Sequence, residues 1–244
     1  MQEIVLTGVS KGFGKQLLLS LSEKYFIHAL TRSPEDISFA VELEQQNKIK
    51  LYYADLASIN EVDAFCDQVL ANSNQLLGII NNAGRRFRSS IDTIEYSDLC
   101  SLFDVNIHAP FFIIKNLLPL LKKNKYSRII NISSIVGYRG FDDLSGYGMT
   151  KGAINSMTKC LASELAEHQV TVNAILPGFC ETSYADKFKS NLPLYESTII
   201  RTPLKRWGAD TELNGIVEFL LSTHSSYMTG SLITMMVAGL QYDS

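Results

Sequence analysis

The sequence predicts an α/β fold: a doubly wound parallel sheet of about seven strands flanked by helices. Three observations predict it. Short β-rich runs alternate with longer amphipathic stretches along all 244 residues. Several of the runs are continuously apolar rather than alternating, the mark of strands covered on both faces. A glycine-rich turn joins the first run to the first helical stretch, as in nucleotide-binding α/β sheets.

The elements follow in order. Glu3 to Leu6 is the first strand, with an unbroken apolar core at Ile4, Val5 and Leu6. Residues 7–14 form the glycine turn, and Lys15 to Lys24 the first helix. Phe26 to Leu30 and Ile49 to Tyr53 are strands rich in aromatic and β-branched residues. Ile59 to Ala71 is amphipathic at helical spacing. Leu77 to Ile80 is the fourth strand, followed by one long helix over Tyr96 to Lys122. Arg128 to Ile132 is a strand, Tyr147 to His168 a helix, and Val170 to Ile175 another strand. Thr211 to Ser222 is the last helix and Leu232 to Met236 the last strand. Thr182 to Trp207 departs from this rhythm, being rich in Tyr, Phe, Leu and Pro. It reads as an elaborated loop or small helical lobe. With no linker, repeat or low-complexity tract, residues 1–244 read as one domain, with 183–207 as its substrate-binding lobe.

Composition excludes several classes. Hydrophobic residues make up 46% and charged residues 19%. Area scaling gives roughly 11,000 Å² folded against roughly 39,000 Å² unfolded, so about 70% of the surface can be buried and a disordered chain is excluded. Lys plus Arg number 22 and Asp plus Glu 25, a formal net charge of −3. That balance gives no support to a nucleic-acid partner. No stretch approaches the ~20 apolar residues of a membrane span. The most apolar one, Pro110 to Leu121, is broken by Lys115 and Asn116. The opening MQEIVLTG is too short and strand-like for a signal peptide. Cys66, Cys100, Cys160 and Cys180 form no CxxC pair, and only four histidines accompany them. The expectation is no metal site, and reduced thiols in a cytoplasmic protein.

The glycine turn reads Thr7-Gly8-Val9-Ser10-Lys11-Gly12-Phe13-Gly14. Glycine lets the backbone approach a pyrophosphate, and the helix N-terminus that follows offers free N–H groups and a positive dipole end. The spacing, G-x-x-x-G-x-G, is one residue wider than the usual fingerprint. The second strand ends in Leu30-Thr31-Arg32-Ser33, with no carboxylate before Glu35. Arg32 can meet a 2′-phosphate with a charge-assisted fork, and Lys11 can approach the same phosphate. NADP(H) is therefore the expected cofactor, with NAD(H) as the alternative.

Tyr147 and Lys151 are four residues apart and share one helix face. A phenol of pKa near ~10 is a poor base at neutral pH, but a nearby ammonium stabilises its anion. Such a tyrosine can give a proton in a reduction or take one in the reverse oxidation. Ser134, just past a strand, can donate to the same substrate oxygen. Its neighbour Ser133 would point to the other side of a continuing strand.

These motifs resemble the short-chain dehydrogenase/reductase family, and the resemblance covers essentially the whole chain. It rests on Thr7-Gly8-x-x-x-Gly12-x-Gly14, Asp55-Leu56, Asn81-Asn82-Ala83-Gly84, Asn106, Ser134, Tyr147-x-x-x-Lys151, Pro177-Gly178 and Thr182, in that order. The resemblance implies a Rossmann-type fold. It further implies that Asp55, with Leu56, lies at the adenine and that Asn81 to Gly84 stabilises the sheet, with Asn82, Ala83 and Gly84 bordering the cofactor. The stretch Pro177, Gly178, Cys180 and Thr182 would hold the nicotinamide carboxamide, and Lys151 its ribose. Asn106, Ser134, Tyr147 and Lys151 look like the family's catalytic tetrad, with the Asn106 main-chain carbonyl binding a relay water. The residues give a reason for that carbonyl to be available. Pro110 has no N–H to donate to it, so the helix should break or kink there.

The expected substrate is a small carbonyl or alcohol. Arg85, Arg86, Arg88 and Arg139 near one mouth suggest an anionic one. Tyr138, Phe141, Tyr184, Phe188, Tyr195 and Trp207 read chiefly as packing of the lobe. The nearest look is the 3-oxoacyl-[acyl-carrier-protein] reductase type, through Gly178-Phe-Cys-Glu-Thr182 and Thr229-Gly230. Two positions depart from it: His168 replaces a docking arginine, and Val237-Ala238-Gly239-Leu240 replaces Val-Asp-Gly-Gly. A sugar or another small carbonyl compound stays open. The resemblance implies a homo-oligomer, a tetramer or dimer, with Phe111, Phe112, Ile113 and Ile114 crowded on one of its helices. The competing reading is a non-catalytic NADP(H)-binding regulator or redox sensor on the same fold.

Overall fold

The structure is a computed structural model, and it describes residues 1–35, 37–182, 185 and 189–235. In chain order its main elements are β1 (Gln2–Thr7), α1 (Gly12–Leu21), β2 (Tyr25–Thr31), α2 (Ser38–Gln45), β3 (Ile49–Tyr53), α3 (Ile59–Asn72) and β4 (Gly78–Asn81). Then come α4 (Tyr96–Phe103), α5 (Ala109–Lys123), β5 (Ser127–Ile132), α6 (Ser145–Leu165), β6 (Val170–Pro177) and β7 (Cys180–Glu181). The last are α7 (Leu192–Arg201), β8 (Gly208–Ala209), α8 (Asn214–Leu221) and β9 (Leu232–Met235). Seven strands form one sheet in the order β3-β2-β1-β4-β5-β6-β9, and every pairing is parallel. The order reverses between β1 and β4. A crevice opens there at the carboxyl ends of the strands.

Two apolar layers explain the continuous runs. Ile4 and Leu6 of β1 face α1 and α8, while Val5 between them faces α3, α5 and α6. Strand β4 repeats this, with Ile80 on the first side and Ile79 on the second. Successive side chains alternate faces, so a strand covered on both must be apolar at every position. Ile4, Val5 and Leu6 are wholly buried, each burial being worth roughly 1.5–3 kcal/mol.

The expected strands are present, each within two residues of its expected ends, although Met236 lies outside the described residues. The helices differ more. Helix α1 starts at Gly12 rather than Lys15, because the glycine turn supplies its first helical turn. The single helix expected over Tyr96 to Lys122 is interrupted by a π-helical turn at Asp104–His108. There the Ala109 N–H donates to the Asp104 carbonyl, five residues back. Pro110 then falls in the first turn of α5, directly after the π-helical turn, and has no N–H to donate back into it. The last helix opens as a 3-10 turn, Asp210–Leu213. Helix α7 gives the expected lobe its helical part, whereas helix α2 and the two-residue ladder of β7 with β8 were not anticipated. Ile113 and Ile114 are core residues, so of the crowded quartet only Phe111 and Phe112 reach the surface.

Candidate active site

The glycine turn is locked across the β1–β4 switch point. Thr7 Oγ1 accepts from the backbone N–H groups of Asn82 (3.2 Å) and Ala83 (3.0 Å). The Asn82 side-chain amide donates back to the carbonyls of Thr7 (3.0 Å) and Gly8 (2.9 Å). Gly8 has φ +74°, and a Cβ there would lie 2.8 Å from Ala83 Cα. A Cβ on Gly14 would sit 1.9 Å from the Gly8 carbonyl. These two positions therefore require glycine.

A cleft of about 1090 Å³ runs along the strand ends. Beyond β2 and β3 it is lined by Arg32, Ser33, Glu35, Asp55 and Leu56. Its middle is Gly8, Ser10, Lys11, Gly12, Phe13 and Gly14. Beyond β4, β5 and β6 it is lined by Asn82, Ala83, Gly84, Ser134, Tyr147, Lys151, Pro177, Gly178, Cys180 and Thr182. One surface thus brings together every cofactor-binding and catalytic residue singled out in the sequence except Asn106. Lys11 and Arg32 line the same cleft, as their joint approach to one phosphate requires. Asp55 is drawn into its own turn, its carboxylate accepting from Ala57 N–H at 2.9 Å.

At the far end, Tyr147 and Lys151 stand one turn apart on α6, with Lys151 Nζ 5.6 Å from the centre of the tyrosine ring. Lys151 is 4% exposed, and its Nζ donates to the Ile132 carbonyl at 2.8 Å. Burial disfavours the ammonium and lowers its pKa to about 8. Ser134 Oγ caps the 3-10 turn Ile135–Gly137 by accepting from Val136 N–H at 3.2 Å. Ser133 has the structural role expected of it. Its hydroxyl bonds the Lys151 carbonyl (3.1 Å) and Asn155 Oδ1 (2.7 Å). The Asn155 amide donates to the Gly137 carbonyl at 3.2 Å, which ties α6 to the turn that carries Ser134. Asn81 donates to Asn131, and Asn131 to Thr158, so a polar ladder also joins β4, β5 and α6.

Asn106 lies behind the cleft and is 1% exposed. Its Oδ1 accepts from Arg85 N–H (2.7 Å) and its Nδ2 donates to the Arg85 carbonyl (2.9 Å) and to Thr150 Oγ1 (3.0 Å). Thr150 in turn donates to the Tyr147 carbonyl at 2.8 Å. The Asn106 side chain therefore clamps the loop after β4 to the helix of Tyr147. The sequence reading considered only the Asn106 main-chain carbonyl. It missed Thr150 and Asn155, although Thr150 lies inside the Tyr147–Lys151 motif.

The mouth departs from expectation. Of the four arginines, Arg85 and Arg86 line the cleft. Arg88 turns away, donating to the Asp142 carbonyl at 3.0 Å and lying 3.9 Å from Asp143. Arg139 does not line the cleft among its described residues. Arg85 donates to Ser101 and lies 3.8 Å from Asp98, while the Arg86 guanidinium lies 5.7 Å from the Tyr147 ring centre. Of the aromatic residues expected to pack the lobe, Tyr195 and Trp207 do so, while Tyr138 is exposed. Phe179 stacks on Trp207 at 5.3 Å, Tyr195 meets Trp207 at 5.1 Å, and Trp207 Nε1 donates to Thr198 at 2.8 Å. Phe179 and Trp207 also form one wall of the cleft. Tyr184 and Phe188 lie outside the described residues, as does Val237 to Leu240. Among the described residues, no group of three His, Cys, Asp or Glu could hold a metal ion, and no helix is long and apolar enough to cross a membrane. Burial pushes the Cys180 thiol up to about 11, so the one cysteine in the cleft wall is no thiolate at neutral pH.

A family model described as enoyl-(acyl carrier protein) reductase matches residues 8–237. The 3-oxoacyl-[acyl-carrier-protein] reductase FabG of Staphylococcus aureus is 30% identical over 233 residues, 94% of each chain. A Pseudomonas aeruginosa RhlG/NADP active-site complex superposes with a TM-score of 0.90 at 25% identity, covering 97% of this chain and 95% of that one. 4-Hydroxyisoleucine dehydrogenase complexed with NADH has a TM-score of 0.91 at 23% identity, covering 97% of both chains.

Proposed function

Because this chain belongs to the short-chain dehydrogenase/reductase family, we propose that it is an NADP(H)-dependent oxidoreductase interconverting a ketone and a secondary alcohol, with Tyr147 as proton donor and acceptor. The observation that carries this reading is Lys151 beside the Tyr147 ring, at the end of a cleft that begins at the glycine turn. The residues fit a dinucleotide. A Cβ on Gly12 would meet only Thr182, at 3.5 Å, so the turn opens onto the cleft. Residues 10–14 at the head of α1 would hold the pyrophosphate, Arg32 and Lys11 the 2′-phosphate, and Asp55 the adenine. Thr182 and the backbone after Pro177 would hold the nicotinamide. When bound, the nicotinamide supplies or accepts the hydride. NAD(H) is the alternative cofactor.

The remaining steps belong to the chain. Ser134 and Tyr147 bind the substrate oxygen, and Tyr147 gives it a proton in reduction. The Lys151 ammonium stabilises the negative charge left on the phenol oxygen. With a pKa of about 8 it is mostly charged at neutral pH, yet can pass a proton on readily. The Asn106 carbonyl is the proposed anchor of a relay water, and its side chain positions the site. The substrate is proposed to be small and anionic, since Arg85 and Arg86 line the reacting end. Four free thiols support a cytoplasmic location. The exposed Phe111 of α5 and Met149 of α6 support a homo-oligomer, a dimer or tetramer.

The test is NADPH absorbance decay with a panel of ketones and aldehydes. Replacing Tyr147 by Phe removes the proton donor and is expected to cut turnover by about 100-fold or more. Equal rates in wild type and Y147F would overturn the mechanism.

A further inference from the structure

We propose that Asn155 is a positioning residue for the reaction: through the Gly137 carbonyl it sets where the Ser134 hydroxyl stands against the helix of Tyr147. The inference rests on the oxidoreductase reading above and adds a residue to the same site.

Asn155 is buried on α6, one helical turn beyond Lys151. It does not line the cleft, so any effect it has on turnover must pass through other residues. Its neighbours decide which end of its amide is which. The Gly137 carbonyl can only accept, so the atom 3.2 Å from it is Nδ2. Oδ1 then faces Ser133, whose hydroxyl donates to it at 2.7 Å and to the Lys151 carbonyl at 3.1 Å. A carboxylate of the same shape would keep the acceptor for Ser133 and lose the donor to Gly137.

Ser134 is carried on a turn that moves as one piece. The Gly137 N–H donates to the Ser134 carbonyl at 3.1 Å, and the Val136 N–H donates to Ser134 Oγ at 3.2 Å. Holding the Gly137 carbonyl therefore holds the Ser134 side chain. On the strand side, β5 pairs with β6 as far as Ile132, and one more bond runs from the Ser133 N–H to the Ile175 carbonyl at 2.8 Å. Ser134 itself is the residue that leaves the sheet.

The turn lies along α6 from the Tyr147 end to Asn155. A Cβ on Gly148, next to Tyr147, would be 3.4 Å from the Val136 carbonyl oxygen. A Cβ on Gly137 would be 2.5 Å from the Lys151 carbonyl carbon, so turn and helix meet there backbone to backbone. Steric contact fixes only how close the two can come. The Asn155 amide supplies the attraction that keeps them together, and a hydrogen bond also fixes direction. On the proposed mechanism Ser134 and Tyr147 must meet one substrate oxygen together. A donor set slightly off that oxygen loses much of its worth in the transition state. The expected effect of Asn155 is therefore on kcat and not on NADPH binding.

The experiment is a double-mutant cycle between Asn155 and Ser134. It is read as kcat for NADPH oxidation by the full-length enzyme with cyclohexanone, 2,3-butanedione and ethyl 3-oxobutanoate. Ser134→Ala is expected to lower kcat about 100-fold. Asn155→Ala is expected to lower it about tenfold, with KM for NADPH unchanged. Asn155→Asp keeps the side-chain volume and removes only the donor, so it should behave alike, and it carries the test if the alanine variant does not fold. In the S134A background either substitution should cost less than about twofold, because the group it positions is gone. A general loosening of the fold would instead lower both backgrounds by the same factor, and that outcome overturns the inference. So does an unchanged kcat in N155A and N155D, a matching rise in KM for NADPH, or failure of both variants to fold, which makes Asn155 a residue of the fold alone. In each of these cases a slow S134A enzyme leaves the oxidoreductase reading standing. An S134A enzyme as fast as wild type removes Ser134 from the mechanism and this inference with it, and no NADPH oxidation with any of the three ketones removes both readings.

Discussion

Arg32 is the residue on which the proposed choice between the two nicotinamide cofactors turns. It leaves β2 at the position where an acidic side chain would otherwise receive the ribose hydroxyls. In the structure it shares the cleft with Lys11, but also with Glu35 and Asp55, so the local charge is balanced rather than simply basic. On the proposed reading, what would favour a 2′-phosphate is therefore the fork geometry of one guanidinium, supported by Lys11, more than net charge. Arg32→Asp is expected to raise the Kd for NADPH by at least about tenfold while leaving NADH binding the same or better. Cofactor fluorescence titration reads both constants, and an unchanged NADPH to NADH ratio would make Arg32 a bystander. The glycine turn and the Tyr147–Lys151 pair were legible in sequence because each is a local pattern. The clamp made by Asn106 was not. Its partners Arg85 and Thr150 are 21 and 44 residues away, and only the fold brings them together.

At the scale of elements, the same asparagine explains why the chain tolerates a π-helical turn in the middle of what reads as one helix. Proline at position 110 announces a break, and that much was visible in the sequence. The shift to hydrogen bonds five residues apart was not, because it depends on what the turn must present. The turn buries Asn106 almost completely while its neighbours Val105 and Ile107 stay half-buried. Removing the side chain strands the Arg85 N–H and carbonyl and takes a partner from Thr150. Asn106→Ala is expected to lower unfolding stability by about 1–3 kcal/mol, read as a lowered urea midpoint at constant slope. An unchanged midpoint would show that water replaces the clamp. Helix α2 was missed for a different reason. It buries only Ala40 and Leu43 of its eight residues, which leaves little apolar periodicity to detect. The strands were easy by the same logic, since burial on both faces leaves no polar position inside them.

Across the whole molecule, one buried titratable group lies away from the cleft and ties the sheet edge together. His28 on β2 is 1% exposed. Its Nδ1 shares a hydrogen bond with Tyr52 of β3 at 2.9 Å. Its Nε2 faces Glu3 of β1 at 3.0 Å and Ser73, just past α3, at 2.8 Å. The network assigns the ring proton to Nε2, where the Glu3 carboxylate accepts it, and lets the Tyr52 hydroxyl donate to Nδ1. A neutral ring therefore satisfies these partners, and a second proton would displace the Tyr52 donor. Burial lowers the His28 pKa, and Lys50 adds to this, against the opposing pull of Glu3. The unfolded chain, with an ordinary value of 6.5, then binds more protons than the folded one as the medium is acidified. The contribution of His28 to stability is complete above that value and is lost as the pH falls from it towards the lower folded value. Urea unfolding between about pH 5 and 7.5 is expected to show wild type weakening on the acid side. In His28→Gln, which keeps a donor and an acceptor but cannot titrate, that slope should flatten even though the variant starts out less stable. Parallel pH profiles for the two proteins would assign the acid sensitivity to other groups.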